Sequence, residues 1–334
     1  MIQKPIRFFD MFSGAGGFRA GLELAGGYDC IGHCEIDKHA DRAYRAAFEI
    51  KESEVYYEDA TKISPNTIPE FDLLCAGFPC TPFSQNGKRK GFLDPGGTLF
   101  FEITRILRAR RPAYLLLENV PGLLSHDEGR TFAAMLRALC DLRYHIEFQV
   151  LDSADFGMPQ SRRRVYVIGY LDSGCAGAVL PIRSTDTKTS IQRIKIRQDE
   201  REFGGKGALL IKEATKRGYK ECFPGDSVDL AFPAQNTRRG RIGRGIAHTI
   251  DTNPKQGVVT SDRRIRRLMP RECFRLQGFS EKQIDKILAT CTDKHAYRLA
   301  GNAATVNVVH ALALRLKDAH EAAMAATVPE QRAA

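Results

Sequence analysis

Ile6-Arg-Phe-Phe-Asp-Met-Phe-Ser-Gly-Ala-Gly-Gly17 decides how the rest of the chain is read. An apolar run, Ile6–Phe12, gives way to a glycine turn and then to an amphipathic stretch, Gly17–Leu24. A buried strand, a tight turn and a helix N-terminus in that order form the nucleotide corner of an open α/β sheet. Gly14, Gly16 and Gly17 allow positive φ and close backbone approach. The dinucleotide fingerprint G-x-G-x-x-G fails at its third glycine, where Arg19 stands, and this weakens a pyrophosphate reading. The next apolar run ends at Glu35, 21 residues after Gly14, where a carboxylate can accept both ribose hydroxyls. Asp59 follows the third run, placed to meet an adenine amino group. An adenosine-containing ligand without a pyrophosphate fits best, and S-adenosylmethionine is such a ligand. An unspecified Rossmann-like site is the alternative at this point.

Outward from that corner, short apolar runs alternate with helical patterns. Ile6–Phe12, Cys30–Ile36, Val55–Tyr57, Phe71–Gly77, Tyr114–Leu117, Ile146–Leu151 and Val165–Tyr170 read as buried strands. Gly17–Leu24, His39–Phe48, Leu99–Arg108 and Arg130–Leu142 read as helices between them. This rhythm predicts βαβ units and a Rossmann-like, mostly parallel sheet covered on both faces. It stops after Tyr170. From about Asp172 to Thr260 the chain is rich in Gly, Lys, Arg and Thr. Helical pattern resumes at Pro270–Leu276 and ends in a long helix, about Thr305 to Met324. The expected division is a catalytic and cofactor-binding unit, 1–174 with 277–334, and a smaller basic unit, 175–276.

The 334 residues carry a net charge of +10. Residues 181–270 hold 20 Lys/Arg against 10 Asp/Glu, which leaves 30 of each elsewhere. All the excess positive charge therefore lies in one quarter of the chain, the footprint of a polyanion-binding surface. Arg238, Arg239, Arg241 and Arg244 sit there among glycines, with little bulk to hold backbone and phosphate apart. No run of about 18 apolar residues exists, so no membrane span is expected. The N-terminal residues show no signal-peptide architecture. Nine scattered cysteines suit free thiols in a reducing cytoplasm. Cys30 and Cys34, without a second pair at zinc-like spacing, read as buried thiols, and no metal site is expected.

The fourth strand runs into Phe78-Pro-Cys-Thr-Pro82. Two prolines hold a cysteine at the C-terminal edge of the sheet, where ligands of open α/β folds bind. A polar, glycine-rich loop follows, Gln85–Gly97, with Lys88, Arg89 and Lys90. The fifth strand ends in Glu118, a carboxylate whose buried position should raise its pKa and let it act as an acid. Gln160-Ser-Arg-Arg-Arg164 leads into the seventh strand. In an extended segment Arg162 and Arg164 share one face, which suits a phosphate or a ring carbonyl.

These blocks together resemble the bacterial DNA (cytosine-5)-methyltransferases of the restriction–modification type. The resemblance rests on Phe9–Gly17, Glu35–Asp37, Asp59-Ala60, Gly77–Thr81, Glu118–Val120, Gln160–Arg164, Arg267–Phe279 and Gly301–Ala303, in the family's order over nearly the whole chain. It implies that Cys80 attacks C6 of the target cytosine and that Glu118 bonds N3 and the amino group. Arg164, helped by Arg162, would hold the O2 side and nearby phosphate. It implies S-adenosylmethionine in a pocket of Phe12, Ser13, Gly14, Gly16, Gly17, Glu35, Ile36, Asp59, Ala60, Gly77, Pro79, Leu99, Asn302 and Ala303. Residues between Arg164 and Arg267 would be the target-recognition region. There, Thr249 and the four arginines would touch duplex DNA, joined by Ser84, Lys88 and Arg89 of the nucleophile loop. The chain departs from the usual pattern at Thr81, Leu299 and Ala304.

Implied too are a monomer and a companion restriction endonuclease. A tRNA cytosine-5 methyltransferase shares the blocks but has a shorter recognition region than the roughly 100 residues here. An inert DNA-binding paralogue would be expected to have lost Cys80, Glu118 or the glycine turn. A nicotinamide oxidoreductase would need the unbroken glycine fingerprint.

Overall fold

The computed structural model describes residues 4–78, 95–171, 173–183, 208–231 and 238–327. Seven strands make one sheet: β1 (Ile6–Met11), β2 (Tyr28–Cys34), β3 (Val55–Tyr57), β4 (Leu73–Gly77), β5 (Tyr114–Asn119), β6 (His145–Asp152) and β7 (Arg163–Tyr170). Their order is β3-β2-β1-β4-β5-β7-β6. Only β7 runs against its neighbours, antiparallel to both β5 and β6. The order reverses between β1 and β4, whose C-terminal ends lie side by side, with Met11 opposite Ala76. Open α/β sheets bind ligands in that crevice.

Alternate residues of the central strands go to opposite faces. Phe8, Leu73, Cys75, Leu116 and Ile168 belong to one apolar cluster, and Phe9, Leu74, Ala76, Leu117 and Val167 to another. Both faces are therefore buried, which is why the strands read as continuous apolar runs. Helices α1 (Gly17–Ala25) and α9 (Val306–Thr327) cover the first face. Helices α3 (Pro95–Arg110) and α5 (Arg130–Asp141) cover the second, with the single turn α4 (Gly122–Ser125) leading into α5.

A third cluster joins α2 (Lys38–Ala47) to α6 (Pro270–Leu276), α7 (Glu281–Leu288) and α8 (Asp293–Asn302), around Tyr44, Phe274, Ile287 and Leu299. Both α7 and α8 went unread in the sequence. Thus the segment after residue 270 rejoins the body built by the first half.

The basic region is built from short strands. β8 (Leu209–Lys212) and β9 (Tyr219–Cys222) form a hairpin. β10 (Ser227–Asp229), β11 (Ile242–Gly243), β12 (Gln256–Val259) and β13 (Ile265–Arg267) form an antiparallel sheet in the order β11-β10-β12-β13. Its own core is small, with Cys222, Val228, Ile242 and Val259 at its centre. Packing continues across both expected boundaries, since Val179, Leu180 and Ile182 join the large sheet and Cys273 and Phe274 join the third cluster. Among the described residues no helix is long and apolar enough to cross a membrane, and the eight described cysteines are all free.

Candidate active site

The turn after β1 is held in conformations that few residues adopt. Phe12, Gly14 and Gly16 have φ of 58°, 55° and 84°. Phe12 is the strained one, because a non-glycine residue there costs energy that the surroundings must repay. A Cβ on Gly16 would lie 2.3 Å from the Phe48 ring, and one on Gly17 2.3 Å from the Ala304 carbonyl oxygen. The turn is thus wedged between α2 and the chain that enters α9. Arg19 points away behind it: Nε donates to Glu23 at 2.6 Å, Nη1 pairs with Glu54 at 2.7 Å, and the guanidinium lies over the Phe48 ring. A third glycine would forfeit that buried ion pair.

Glu35, just past β2, closes the turn. Its Oε2 accepts the Gly14 N–H and its Oε1 the Asp37 N–H, both at 2.8 Å. Burial pushes its carboxyl up and these two N–H donors pull it back. Asp59 accepts the Thr61 N–H at 3.0 Å and the Thr61 hydroxyl at 2.7 Å, and these bonds hold its carboxyl below the usual range.

Across the crevice, Glu118 stands opposite Gly77 on β4 and Tyr166 on β7. Its side chain is buried and pairs with Arg164 Nε at 2.9 Å. Burial raises the Glu118 carboxyl above its ordinary value, and Arg164 and Arg162 offset that only in part. The neighbouring Asn119 donates to the Phe78 carbonyl at 3.3 Å, tying the end of β5 to the end of β4. Pro79, Cys80, Ser84, Lys88 and Arg89 lie outside the described residues.

Arg162 and Arg164 do share a face, with Arg163 exposed on the other. Their partners differ, and those of Arg162 are backbone carbonyls. It is 2% exposed, and its guanidinium donates to the carbonyls of Ile250 at 2.9 Å, Gly301 at 2.8 Å and Ala303 at 3.1 Å. Burial pulls its pKa down to about 9, so it remains a cation at neutral pH.

One cleft of about 410 Å³ joins these pieces. Phe12, Ser13, Gly14, Gly17, Glu35 and Ile36 form one wall, and Asp59, Ala60 and Leu99 form another. Gly77, Glu118, Arg162 and Arg164 close the far end, and Asn302 and Ala303 the side toward α9. Gly16 does not line it and acts behind it. Its size lies within the range of small-ligand sites. Asp37 and Arg298, joined by an ion pair, also line it. Nothing around Arg298 in the sequence marked it, because it sits in an ordinary amphipathic helix.

The profile of the C-5 cytosine-specific DNA methylases matches residues 6–318. The chain belongs to that family. It is a DNA (cytosine-5)-methyltransferase. It is 34% identical to the type II methyltransferase M.DsaV of Dactylococcopsis salina over 95% of this chain and 87% of that one. With M.HhaI of Haemophilus parahaemolyticus it shares 33% identity over 93% and 94%. Among solved structures it resembles the Entamoeba histolytica methyltransferase EhMeth, with a TM-score of 0.61 and 19% identity over 95% of this chain and 99% of that one. It also resembles the S. pombe Dnmt2 methyltransferase, with 0.59 and 20% over 94% and 99%. These likenesses identify the methyltransferase fold.

The family and fold of the methylase imply S-adenosylmethionine, and the cleft suits it. Ser13 Oγ is buried on the cleft wall and has no hydrogen-bond partner among the described residues. A Cβ on Gly14 would meet nothing within 4 Å, so the turn leaves room for a ligand. Ile36 is 66% exposed and offers an apolar surface at the mouth.

The four arginines expected to touch DNA all have partners within the fold. Arg238 pairs with Asp229 at 2.9 Å, and Arg244 with Asp226 at 3.1 Å. Arg241 is 3% exposed and donates to the carbonyls of Asp229 and Lys212. Arg239 is exposed, with Nε on the Ala214 carbonyl. Gly240 and Gly245, at φ of 68° and 62°, turn the chain so that these side chains fold back onto the small sheet and the hairpin. The Thr249 hydroxyl donates to the Ser161 carbonyl at 2.7 Å.

Proposed function

We propose that this methylase modifies C5 of a cytosine flipped out of a specific duplex sequence, as the protective half of a type II restriction–modification pair. The observation that carries the reading is the Glu118–Arg164 pair, buried at the sheet edge where β4 leads toward Cys80, in the same cleft as the glycine turn. Both curated relatives described above are type II methyltransferases by name.

C5 of cytosine is a poor nucleophile. Addition of the Cys80 thiolate to C6 moves the ring's electron pair to C5, while Glu118, kept protonatable by burial, shares its proton with N3. Arg164 holds Glu118 and reaches the O2 side. S-adenosylmethionine, which Glu35, Asp59, Ser13 and the turn would hold, would supply its methyl group to the electron pair at C5 and leave as S-adenosylhomocysteine. A base then takes the C5 proton, and the returning electron pair expels Cys80. A stacked base cannot reach such a cleft, so flipping at a cost of a few kcal/mol precedes chemistry. The basic region, 175–276 in the expected division, supplies the duplex-binding surface. A monomer acting in the cytoplasm suffices for this activity.

A duplex with 5-fluorocytosine at the target tests the assignment. Fluorine cannot leave as a proton, so the protein should be trapped as a denaturation-resistant adduct dependent on S-adenosylmethionine. Peptide mapping should place the bond on Cys80. Burial pushes the thiols of Cys30, Cys34 and Cys273 up to about 12, so they offer no competing thiolate at neutral pH. An adduct on another cysteine, or one persisting in Cys80→Ala, would overturn the mechanism. Tritiated methyl transfer to tRNA and not to duplex DNA would overturn the substrate.

A further inference from the structure

The segment Ala247–Asp251 leaves the small sheet as a strap and lies along the entry to β7. The Ala247 N–H donates to the Pro159 carbonyl and the Ser161 N–H to the Ala247 carbonyl, both at 2.8 Å. Ile250 is held at both ends of its backbone: its N–H by Gln160 Oε1 and its carbonyl by Arg162, each at 2.9 Å. The strap also sits directly on the last turn of α8. A Cβ on Gly301 would fall 2.3 Å from the Asp251 carbonyl oxygen. From the same guanidinium, Arg162 bonds the carbonyls of Gly301 and Ala303, on either side of the cleft-lining Asn302.

A guanidinium is a rigid plane with donors in fixed directions. Displacing the Ile250 carbonyl tilts that plane, and the Gly301 and Ala303 carbonyls must follow or lose their bonds. Gln277 gives the second side of the frame: its Nε2 donates to the Ala300 carbonyl at 2.7 Å, and Gln160 Nε2 donates to the Leu276 carbonyl at 3.0 Å. Two walls that are distant in sequence are thus bound through one buried side chain.

We propose that Arg162 is a positioning residue that couples engagement of duplex DNA by the strap to the cofactor wall at Gly301–Ala303. The inference rests on the cytosine-methylase reading. DNA pressing on the small sheet and on Thr249 fixes the strap, Arg162 fixes the wall, and the cofactor is held more tightly. By reciprocity, cofactor binding tightens the hold on DNA.

The test is the dissociation constant of S-adenosylhomocysteine measured by calorimetry, with and without a duplex carrying the site that methylation sequencing identifies. The wild-type protein should bind about tenfold more tightly with DNA, within the usual range of coupling. Arg162→Lys keeps the charge beside Glu118 but not the planar fork. Whatever its DNA-free affinity, its enhancement by DNA should fall to about twofold or less. Thr249→Val, at an exposed position that tolerates change, should also shrink the enhancement. A wild-type enhancement in Arg162→Lys overturns the proposal. So does an equal loss with and without DNA, which would make Arg162 a mere wall support, or a wild-type protein without enhancement. Should Arg162→Lys fail to fold, Thr249→Val decides, and undiminished enhancement there overturns it. Failure of the wild-type protein to methylate any duplex would instead sink the reading beneath it.

Discussion

Glu118 carries a titration whose direction follows from its surroundings. Burial lifts its carboxyl above the ordinary 4.5 despite Arg164 and Arg162. A raised value means that folding favours the protonated form. The stabilisation from that form is whole below pH 4.5 and is lost as pH rises through the folded value. Glu118→Gln, similar in shape and never ionised, escapes the loss. Its melting temperature relative to wild type should therefore climb between pH 4 and pH 8, with about 1.4 kcal/mol for each tenfold in proton affinity. A difference flat across that range would show that Glu118 ionises in the fold as it does unfolded. Glu118 was legible in the sequence because it ends an apolar strand. Its partner was legible only as one of two arginines, Arg162 and Arg164, on one face of the segment entering β7. Which of them meets the carboxylate and which meets backbone carbonyls depends on α8 and the strap, distant in the chain, and no local pattern records that.

At the scale of elements, α1 and α9 meet through a glycine. A Cβ on Gly21 would lie 2.6 Å from the Val309 side chain and 2.9 Å from the His310 nitrogen. Alanine there gains up to about 1 kcal/mol of helix propensity. Overpacking costs about 1–3 kcal/mol, and one of the obstacles is backbone. The cost wins, so Gly21→Ala should lower stability in urea denaturation, and an unchanged or higher midpoint would refute the close contact. The central strands β1, β4, β5 and β7 were readable to within a residue or two because their two buried faces make nearly unbroken apolar runs. Helices α7 and α8 were missed because each is short and mostly polar outside, with Ile284, Ile287 and Leu299 their main buried anchors. The edge strand β6 shows another device that sequence hides. Glu147 and Gln149, alternate residues of that strand, accept the N–H groups of Gly177, Leu180 and Ile182 and so tether that segment to one face of the sheet.

For the whole molecule, the excess positive charge is concentrated in 181–270, yet of the four clustered arginines Arg241 is buried within the fold while Arg238, Arg239 and Arg244 keep exposed surface. Charge count and charge availability are therefore different quantities. Removing Arg241 strands carbonyls at about 1–3 kcal/mol each. Arg241→Ala should lower the melting temperature and leave the slope of log affinity against log salt unchanged. Arg239→Ala should do the reverse, reducing the slope by about 0.9 if it meets one phosphate. Fluorescence anisotropy across salt concentrations separates them, and a slope change confined to Arg241→Ala would refute this division.

The wall at Gly301–Ala304 presses on the turn at Gly17 and lines the same cleft. A protein is made from its N-terminus, so the glycine turn, Glu35 and β4 all leave the ribosome long before that wall exists. A growing chain therefore has a crevice that lacks one of its sides. The capacity to mark DNA therefore arrives late in each molecule's synthesis, together with the helix that seals the first face of the sheet.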